Sequence, residues 1–197
     1  MGLMFGYQAG QTPLDPEQIS GLKIKTIATQ QQLNEFEQAN INEALIWLTS
    51  KRKIKNLLTE EFIIQVHQRM FGLVWNWAGQ FRRTETNLGM DWTKIRIELR
   101  QLVADVNFWV EHQSYLPDEA AIRFKHRLVS IHCFPNGNGR HSRIMADLIC
   151  QHVFDSKKFS WGQSSLVEPS AQRTEYLKAL KLADKGDFSE LMRFARS

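Results

Sequence analysis

The chain has 197 residues, of which 43% are hydrophobic and 23% are charged, which is the composition of one globular domain with a sizeable core. Its net charge of +4 suits an anionic ligand such as a nucleotide, but no block of like charges marks a nucleic-acid-binding tail. The two cysteines, Cys133 and Cys150, are too few for a disulfide framework, and the sequence shows neither a signal peptide nor a membrane span, so we expect a cytoplasmic protein.

The first 28 residues differ in character from the rest of the chain. Residues 1–28 contain two prolines and several small residues, which predict an extended arm. Residues 29–197 show helical periodicity, and the first helix is expected to start near Thr29. The side chains of this helix that we expect to face inward are Phe36, Ala44 and Trp47.

The remaining segments also alternate between helical patterns and loops. Residues 76–92, "NWAGQFRRTETNLGMDW", break the helical pattern with Gly79 and Gly89 and predict a loop with a short β-hairpin. The other segments have apolar residues at three- and four-residue steps. They predict helices within 57–72, 93–113, 117–132, 140–154 and 168–195. The expected fold class is therefore all-α, with one small hairpin.

The stretch "SIHCFPNGNGRHSR" at 130–143 is the most unusual part of the sequence. Its glycines and histidines are compatible with a surface loop, a metal site or a phosphate-binding cradle. A helix is expected to begin near Arg140, and a helix N-terminus presents unpaired N–H groups and a positive dipole end. Gly137 and Gly139 would let these N–H groups approach a phosphate closely. Arg140 and Arg143 lie three residues apart, so their planar guanidinium groups can both reach one anion.

His132 would give such a cradle a proton acceptor. The ordinary pKa of histidine lies near neutrality, so the side chain can accept a proton from an attacking hydroxyl. Transfer of a phosphorus-containing group needs this base together with donors that stabilise the developing charge.

Two other interpretations of this stretch are weaker. A zinc site would combine His132 with His126, His141 or His152, but their spacings differ from the i, i+4 pairs of helical zinc ligands. A helix-turn-helix DNA-binding motif would need a shorter turn with fewer glycines, and the helix after Arg143 is strongly apolar.

The stretch "HCFPNGNGRHSR" resembles the signature of Fic (filamentation induced by cAMP) domains, His-Pro-Phe-x-Asp/Glu-Gly-Asn-Gly-Arg-x-x-Arg. "VWNWAGQFRRTETNLG" resembles the segment that leads into the flap hairpin of that family, and "YLKALKLADKGDFSELMRF" is similar to its C-terminal helices. "LNEFEQANI" together with the signature resembles the subgroup called mobile mystery protein B.

The resemblance implies an all-α Fic fold and transfer of AMP from ATP to a Ser, Thr or Tyr hydroxyl of a target protein, with Mg²⁺ or Mn²⁺ as the metal. It implies that His132 is the general base and that Phe134 anchors the loop in the core. The flap residues that would bind the target chain as an added strand are Thr84, Glu85, Thr86, Asn87, Leu88 and Gly89. The residues that would bind the phosphates are Gly137, Asn138, Gly139, Arg140 and Arg143.

Three positions depart from the family pattern. Cys133 replaces a proline at a position expected to serve packing. Asn136 replaces the carboxylate that binds the metal, and an amide oxygen can ligate a hard cation but adds no negative charge. Glu37 matches the glutamate of the inhibitory helix of many Fic proteins, although Leu33 and Gln38 depart from that motif. We expect Glu37 to pair with Arg143 and to hinder ATP binding.

The replacement at Asn136 leaves other functions open. The same fold could transfer another phosphate-containing group, or the chain could be a catalytically weak nucleotide-binding partner in a toxin–antitoxin-like module. The sequence predicts a nucleotide and a protein target as partners, with an antitoxin or regulator as a further one, and neither a membrane nor a nucleic acid. It does not identify the target protein or the oligomeric state.

Overall fold

The computed structural model describes residues 13–51, 54–163 and 170–197, which form eight α-helices and no paired strands. None of the helices in these ranges combines the length and the apolar character needed to cross a membrane. The helices are α1 (Pro16–Ser20), α2 (Gln30–Thr49), α3 (Glu60–Phe71), α4 (Ile95–Glu111), α5 (Pro117–Ile131), α6 (Asn138–His152), α7 (Ala171–Ala183) and α8 (Ser189–Arg196). Short 3₁₀ turns occur at Trp92–Lys94 and Trp161–Gln163.

Threonine side chains cap the starts of α2 and α3. The Thr29 hydroxyl accepts the N–H of Gln32, and the Gln32 side chain accepts the N–H of Thr29, which completes a capping box for α2. The Thr59 hydroxyl accepts the N–H of Phe62 at the start of α3. These caps satisfy N–H groups that the helix itself leaves unpaired.

The inward face of α2 differs from the predicted one. Ala44 is buried as expected and Trp47 is half-buried, but Phe36 is 43% exposed. The prediction for Phe36 was wrong because the buried stripe of α2 contains two polar residues that the apolar pattern passes over. The buried residues of this helix are Leu33, Glu37, Asn40, Ile41, Ala44 and Leu48.

The central element is the pair α5 and α6, which pack along each other and carry the unusual stretch between them. Helix α3 packs against α6, α4 packs against α5, and α7 and α8 pack together at the C-terminal end. Phe134, Met145 and Ile149 are fully buried in the core that these helices share. Because α3 packs against α6, it lies next to the loop between α5 and α6.

The described part of the N-terminal arm lies on the helical core. Leu14, Leu22 and Ile27 are buried in the same cluster as the helices, and Leu22 forms an isolated antiparallel bridge with Trp75. The arm is not wholly extended, because Asp15 caps the short helix α1. Residues 1–12 of the predicted arm lie outside the described residues, and the boundary at residue 28 stays a prediction.

The segment predicted to form a hairpin is a loop without strand pairing from 80 to 91. Its ends are held by a side chain in place of a ladder of backbone hydrogen bonds. The guanidinium of Arg82 donates to the carbonyl oxygens of Thr84, at 2.9 Å, and of Met90. We keep the name flap for residues 84–89 of this loop.

Candidate active site

The stretch 132–137 joins the C-terminal end of α5 to the N-terminal end of α6. His132 is the C-cap of α5, and its backbone is left-handed with φ 56° and ψ 58°. Gly137, also left-handed with φ 80°, is the N-cap of α6. The helix begins at Asn138, somewhat earlier than predicted, so Asn138, Gly139 and Arg140 form its first turn. Their N–H groups belong to the set that a helix leaves unpaired and that attracts anions.

Asn138 fixes the shape of this loop. Its side-chain oxygen accepts the N–H of Phe134 at 3.0 Å, and its side-chain nitrogen donates to the carbonyl oxygen of Phe134 at 2.7 Å. Both bonds are buried, and Phe134 itself is fully buried. The Asn138 side chain is thus committed to the protein, and only its backbone N–H remains as a group that could contact a phosphate.

His67 supports the loop from α3, and sequence reasoning missed it. The ring of Phe134 stacks on the ring of His67 with 3.7 Å between centroids. Nδ1 of His67 accepts the N–H of Gly79 at 3.1 Å, and Nε2 lies 3.0 Å from the carbonyl oxygen of Asn136. Burial, followed by the neighbouring His141, lowers the pKa of His67 well below its ordinary value, so the ring is neutral and donates from Nε2. The signal in the sequence was a histidine on the apolar face of α3.

His132 lies under the flap. Only 6% of its surface is exposed, and a methyl group added at Gly89 would lie 2.3 Å from His132 Cβ. Burial, reinforced by the positive charge of Arg82, lowers the pKa of His132 to about 4. The imidazole is therefore neutral at physiological pH, which is the form that accepts a proton.

Arg140 extends from the first turn of α6 towards α2 and α3. Its guanidinium lies over the ring of Phe71, with 4.8 Å from the guanidinium carbon to the ring centroid. One of its nitrogens lies 2.7 Å from Oε2 of Glu37, and the other oxygen of Glu37 accepts the indole N–H of Trp75 at 2.6 Å. The prediction that Glu37 pairs with Arg143 was wrong. One helical turn separates Arg140 from Arg143, and Arg140 is the one that faces α2.

Arg143 faces the C-terminal helices. Its guanidinium carbon lies 5.5 Å from the ring centroid of Tyr176 on α7. The ammonium of Lys125 lies 4.6 Å from the same centroid, and burial lowers the pKa of Lys125. The two predicted phosphate-binding arginines thus leave α6 in different directions.

Glycine occupies the two positions of the cradle, 137 and 139, for different structural reasons. A Cβ at Gly137 would lie 2.5 Å from the ring of Phe71, and its φ of 80° is one that other residues rarely adopt. Gly139 is helical, and a Cβ there would meet open space. Gly137 is therefore required by the fold, whereas the missing side chain at Gly139 leaves room beside the helix N-terminus.

The residues at the predicted metal position do not fit a metal site of their own. The side-chain oxygen of Asn136 accepts the N–H of Gly137 at 2.5 Å. In the described ranges no group of three or more histidine, cysteine or acidic side chains could hold a metal ion. His126 contacts Asp184 at 2.8 Å, and His141 donates to the carbonyl oxygen of Ile63 at 2.9 Å, so neither joins His132.

The flap residues lie at the surface next to His132. Thr86 is half-buried, its hydroxyl donates to the carbonyl oxygen of Leu88 at 2.5 Å, and Leu88 is 39% exposed. The other four flap residues are exposed, namely Thr84, Glu85, Asn87 and Gly89. The structure thus brings an exposed segment of backbone, a neutral histidine and a helix N-terminus into one place.

The sequence of this chain is similar to that of proteins of a known family. Residues 57–150 match the family model described as the Fic/DOC family. Curated relatives include proteins named protein adenylyltransferase Fic from Drosophila virilis and Drosophila melanogaster, each 31% identical over 141 residues. The match covers 70% of this chain but only 27% of each relative, so the chain spans about a quarter of their length.

Solved structures confirm the fold. The N-terminal FIC domain of Bep8 from Bartonella sp. 1-1C is 14% identical with a TM-score of 0.70, and the match covers 90% of both chains. BepC from Bartonella tribocorum, whose structure contains bound AMPPNP, is 16% identical with a TM-score of 0.68, covering 92% of this chain and 97% of that chain. Fic-1 (residues 134–508, E274G) from C. elegans is 23% identical with a TM-score of 0.68, covering 90% of this chain and 51% of that chain.

Proposed function

Because residues 57–150 match the family model described as the Fic/DOC family, we propose that the protein transfers AMP from ATP to a hydroxyl side chain of a target protein and releases pyrophosphate. The observation that carries this proposal is the position of His132. His132 is the C-cap of α5, and the short loop after it leads into the first turn of α6, which contains Arg140. A proton acceptor and an anion site thus lie on one short loop.

In this proposal the hydroxyl of the target gives its proton to His132 as its oxygen attacks the α-phosphorus. The neutral ring is in the form required, but a pKa of about 4 makes it a weak base while Gly89 covers it. Since burial is the main cause of the low pKa, movement of the flap away from His132 raises its basicity. Target binding and activation of the base are therefore linked.

The phosphates bind at the N-terminus of α6. The backbone N–H groups of the first turn and the open space beside Gly139 support this placement. The guanidinium of Arg140 neutralises part of the charge of the departing pyrophosphate, and Arg143 joins it only when its side chain turns from Tyr176 towards the first turn of α6. Asn138 contributes its backbone N–H and, through its bonds to Phe134, the shape of the loop.

The flap binds the target. Its backbone forms no strand pairing within the loop, so we infer that part of residues 84–89 pairs with an extended segment of the target. The carbonyl oxygens of Thr84 and Leu88 already accept hydrogen bonds from Arg82 and Thr86. The side chains that would contact this segment are those of Thr84, Glu85, Thr86, Asn87 and Leu88.

A divalent cation would reach the site with the nucleotide. Mg²⁺ is commonly held by one or two carboxylates together with substrate phosphates, and Asn136 supplies one amide oxygen that already accepts an N–H. We therefore assign no step to the metal. Its requirement is tested by adding Mg²⁺, Mn²⁺ or a chelator.

Glu37 restrains the site in this proposal. Its carboxylate is 5% exposed and offsets the charge of Arg140, so a phosphate must compete with it for that guanidinium. The contact supports an inhibitory role through Arg140, one helical turn away from the predicted partner.

The alternative is a catalytically weak nucleotide-binding protein in a toxin–antitoxin-like module, as the resemblance to mobile mystery protein B suggests, with a regulator as partner. The observation that favours it is the lack of a carboxylate at Asn136. Under either function we place the protein in the cytoplasm, where its two free, buried cysteines are stable as thiols.

The experiment that separates these functions uses ATP labelled at the α- or the γ-phosphate, with the protein as its own target and with a cell extract. Transfer of AMP labels protein from α-labelled ATP only, whereas transfer of a phosphoryl group labels protein from γ-labelled ATP. His132→Ala should abolish the label, and His112→Ala, an exposed histidine of the α4 C-cap, should not. Binding of nucleotide without His132-dependent label from any nucleoside triphosphate would establish the alternative.

A further inference from the structure

Arg82 is a buried cation between the flap and the catalytic histidine. Only 2% of its surface is exposed. Its Nε donates to the carbonyl oxygen of His132 at 2.7 Å, and its other two nitrogens donate to Thr84 and Met90, at either end of the flap. Its own backbone N–H donates to the carbonyl oxygen of Cys133 at 3.0 Å. One side chain thus joins both ends of the flap to the end of α5.

The charge of Arg82 is stabilised mainly by carbonyl dipoles. The acidic side chain in contact is Glu85, which lies 4.0 Å away and is 66% exposed, so it contributes little. The carbonyl of His132 stands at the C-terminal end of α5, where the helix dipole is negative and favours a cation. This placement explains how a guanidinium is retained in a buried position.

Gly89 completes the contact between these groups. A Cβ at Gly89 would lie 3.0 Å from a terminal nitrogen of Arg82 as well as 2.3 Å from His132 Cβ. The flap backbone therefore rests on both side chains at once. A movement of the flap must change the surroundings of His132 and of Arg82 together.

We propose that Arg82 is a positioning residue that fixes the flap against His132 and so couples target docking to the orientation of the proton acceptor. This inference rests on the proposed function for the meaning of the coupling, but the coupling itself can be measured without activity. Arginine is required because its planar group donates in three directions from one place, whereas the ammonium of lysine is a compact point charge.

The experiment compares the whole chain with Arg82→Gln, Arg82→Lys and the control Arg83→Gln. Arg83 is the adjacent, exposed arginine, so its variant makes the same change of charge without touching the flap contacts. The first readout is the titration of His132 by NMR, with its signals assigned from His132→Ala. The second is the pH profile of His132-dependent labelling from α-labelled ATP, with kcat and KM for the target measured separately.

Arg82→Gln should raise the pKa of His132 by about one unit or more, because a nearby positive charge disfavours the protonated ring. The acidic limb of the labelling profile should move to higher pH by the same amount. Arg82→Lys keeps the charge and should leave the titration near that of the wild type, while kcat/KM falls about tenfold or more as the flap loses its fixed register. Arg83→Gln should match the wild type in both readouts.

A folded Arg82→Gln variant with the titration and kcat/KM of the wild type would overturn the proposal. If the Arg82 variants do not fold, Gly89→Ala provides the same test, because it keeps Arg82 and lifts the flap from both side chains; unchanged titration and labelling in Gly89→Ala would equally overturn it. A wild type that shows no AMP transfer removes the proposed function. A shifted titration of His132 in Gly89→Ala, which keeps the charge of Arg82, would then still retain the contact between the flap, Arg82 and His132.

Discussion

The carboxylate of Glu37 lies 2.7 Å from the guanidinium of Arg140 and also accepts the indole N–H of Trp75. The Glu37 side chain is 7% exposed and that of Arg140 is 20% exposed, so solvent screens the pair weakly. The contact uses one terminal nitrogen of Arg140 and fixes the whole side chain against Phe71. Under the proposed function, the state of this ion pair determines how much positive charge the loop offers to a nucleotide.

Glu37→Gly should increase auto-modification by α-labelled ATP and lower the Kd for ATP, since Arg140 regains its full charge. The same variant should lower the Tm, because the Arg140 guanidinium and the Trp75 indole lose a buried partner, at a cost of about 3 to 5 kcal/mol for the ion pair. Labelling and thermal melts of the same preparation check both effects.

Glu35→Gly is the matched control for this variant. Glu35 is exposed on the same helix, so its change carries the same cost of about 1 kcal/mol for glycine in a helix without touching the cradle. Labelling at the wild-type level is expected for the control. A decrease in labelling specific to Glu37→Gly would show that Glu37 orients Arg140 for catalysis and does not inhibit.

Asn136→Asp should increase Mg²⁺-dependent labelling about tenfold. A carboxylate adds the negative charge that the amide lacks, and the neighbouring N–H of Gly137, which now bonds to Asn136, can serve the carboxylate as well. The increase should disappear with a chelator and in the double variant with His132→Ala. Equal labelling by the wild type and Asn136→Asp across Mg²⁺ concentrations would show that this position does not contact the metal.

Gly139→Ala should weaken nucleotide binding without lowering the stability of the fold. The position is helical and faces open space, so alanine should maintain or raise the free energy of unfolding by up to about 1 kcal/mol. The added methyl group would occupy the side on which a phosphate approaches the N–H groups of α6, so the Kd for ATP should rise about tenfold or more. Calorimetric titration with ATP and chemical denaturation measure the two effects.

Gly137→Ala is the contrasting variant on the same loop. Its methyl group would meet the ring of Phe71 and its backbone would keep an unfavourable φ of 80°, so the free energy of unfolding should fall by about 1 to 3 kcal/mol. If Gly139→Ala binds ATP as tightly as the wild type does, the phosphates do not lie against this part of α6.

The helices and their starts follow from local sequence, because caps and apolar periodicity act within a few residues. Helix α2 begins next to Thr29, as expected, Thr59 caps α3 within the range predicted for it, and Pro117 begins α5. The exposed Phe36 shows the limit of this reasoning. Its inward placement was predicted from apolarity alone, whereas the face of α2 is decided by the polar contacts of Glu37 and Asn40.

The site residues that the sequence did not reveal act across long separations in the chain. Arg82 bonds to a carbonyl 50 residues away, and His67 contacts the carbonyl of Asn136 69 residues away. Arg82 lies in the segment that resembles the lead into the flap and His67 lies on the apolar face of α3, but local spacing does not identify partners so far along the chain. The same limit explains the error over Glu37, because the choice between Arg140 and Arg143 depends on the rotation of α6 relative to α2.

The buried histidines should make the protein less stable in mild acid. Burial, the main cause in each, lowers the pKa of His132 and His141 to about 4 and that of His67 well below 6.5. The unfolded chain therefore binds more protons than the folded chain between about pH 6.5 and pH 4, and stability falls as the pH falls through this window. Asp147 acts in the opposite direction, because burial raises its pKa to about 6, but it opposes three histidines.

His141→Phe tests this dependence at a position outside the proposed chemistry. It should lower the Tm at about pH 7, because the carbonyl oxygen of Ile63 loses its donor, at a cost of about 1 to 3 kcal/mol. It should also reduce the difference in Tm between about pH 7 and pH 5, since one of the groups that take up a proton on unfolding is gone. The control His112→Phe, at an exposed position, should keep the wild-type difference. A wild-type Tm that is constant or rises on acidification to pH 5 would contradict the assignment of neutral, buried histidines beneath the loop.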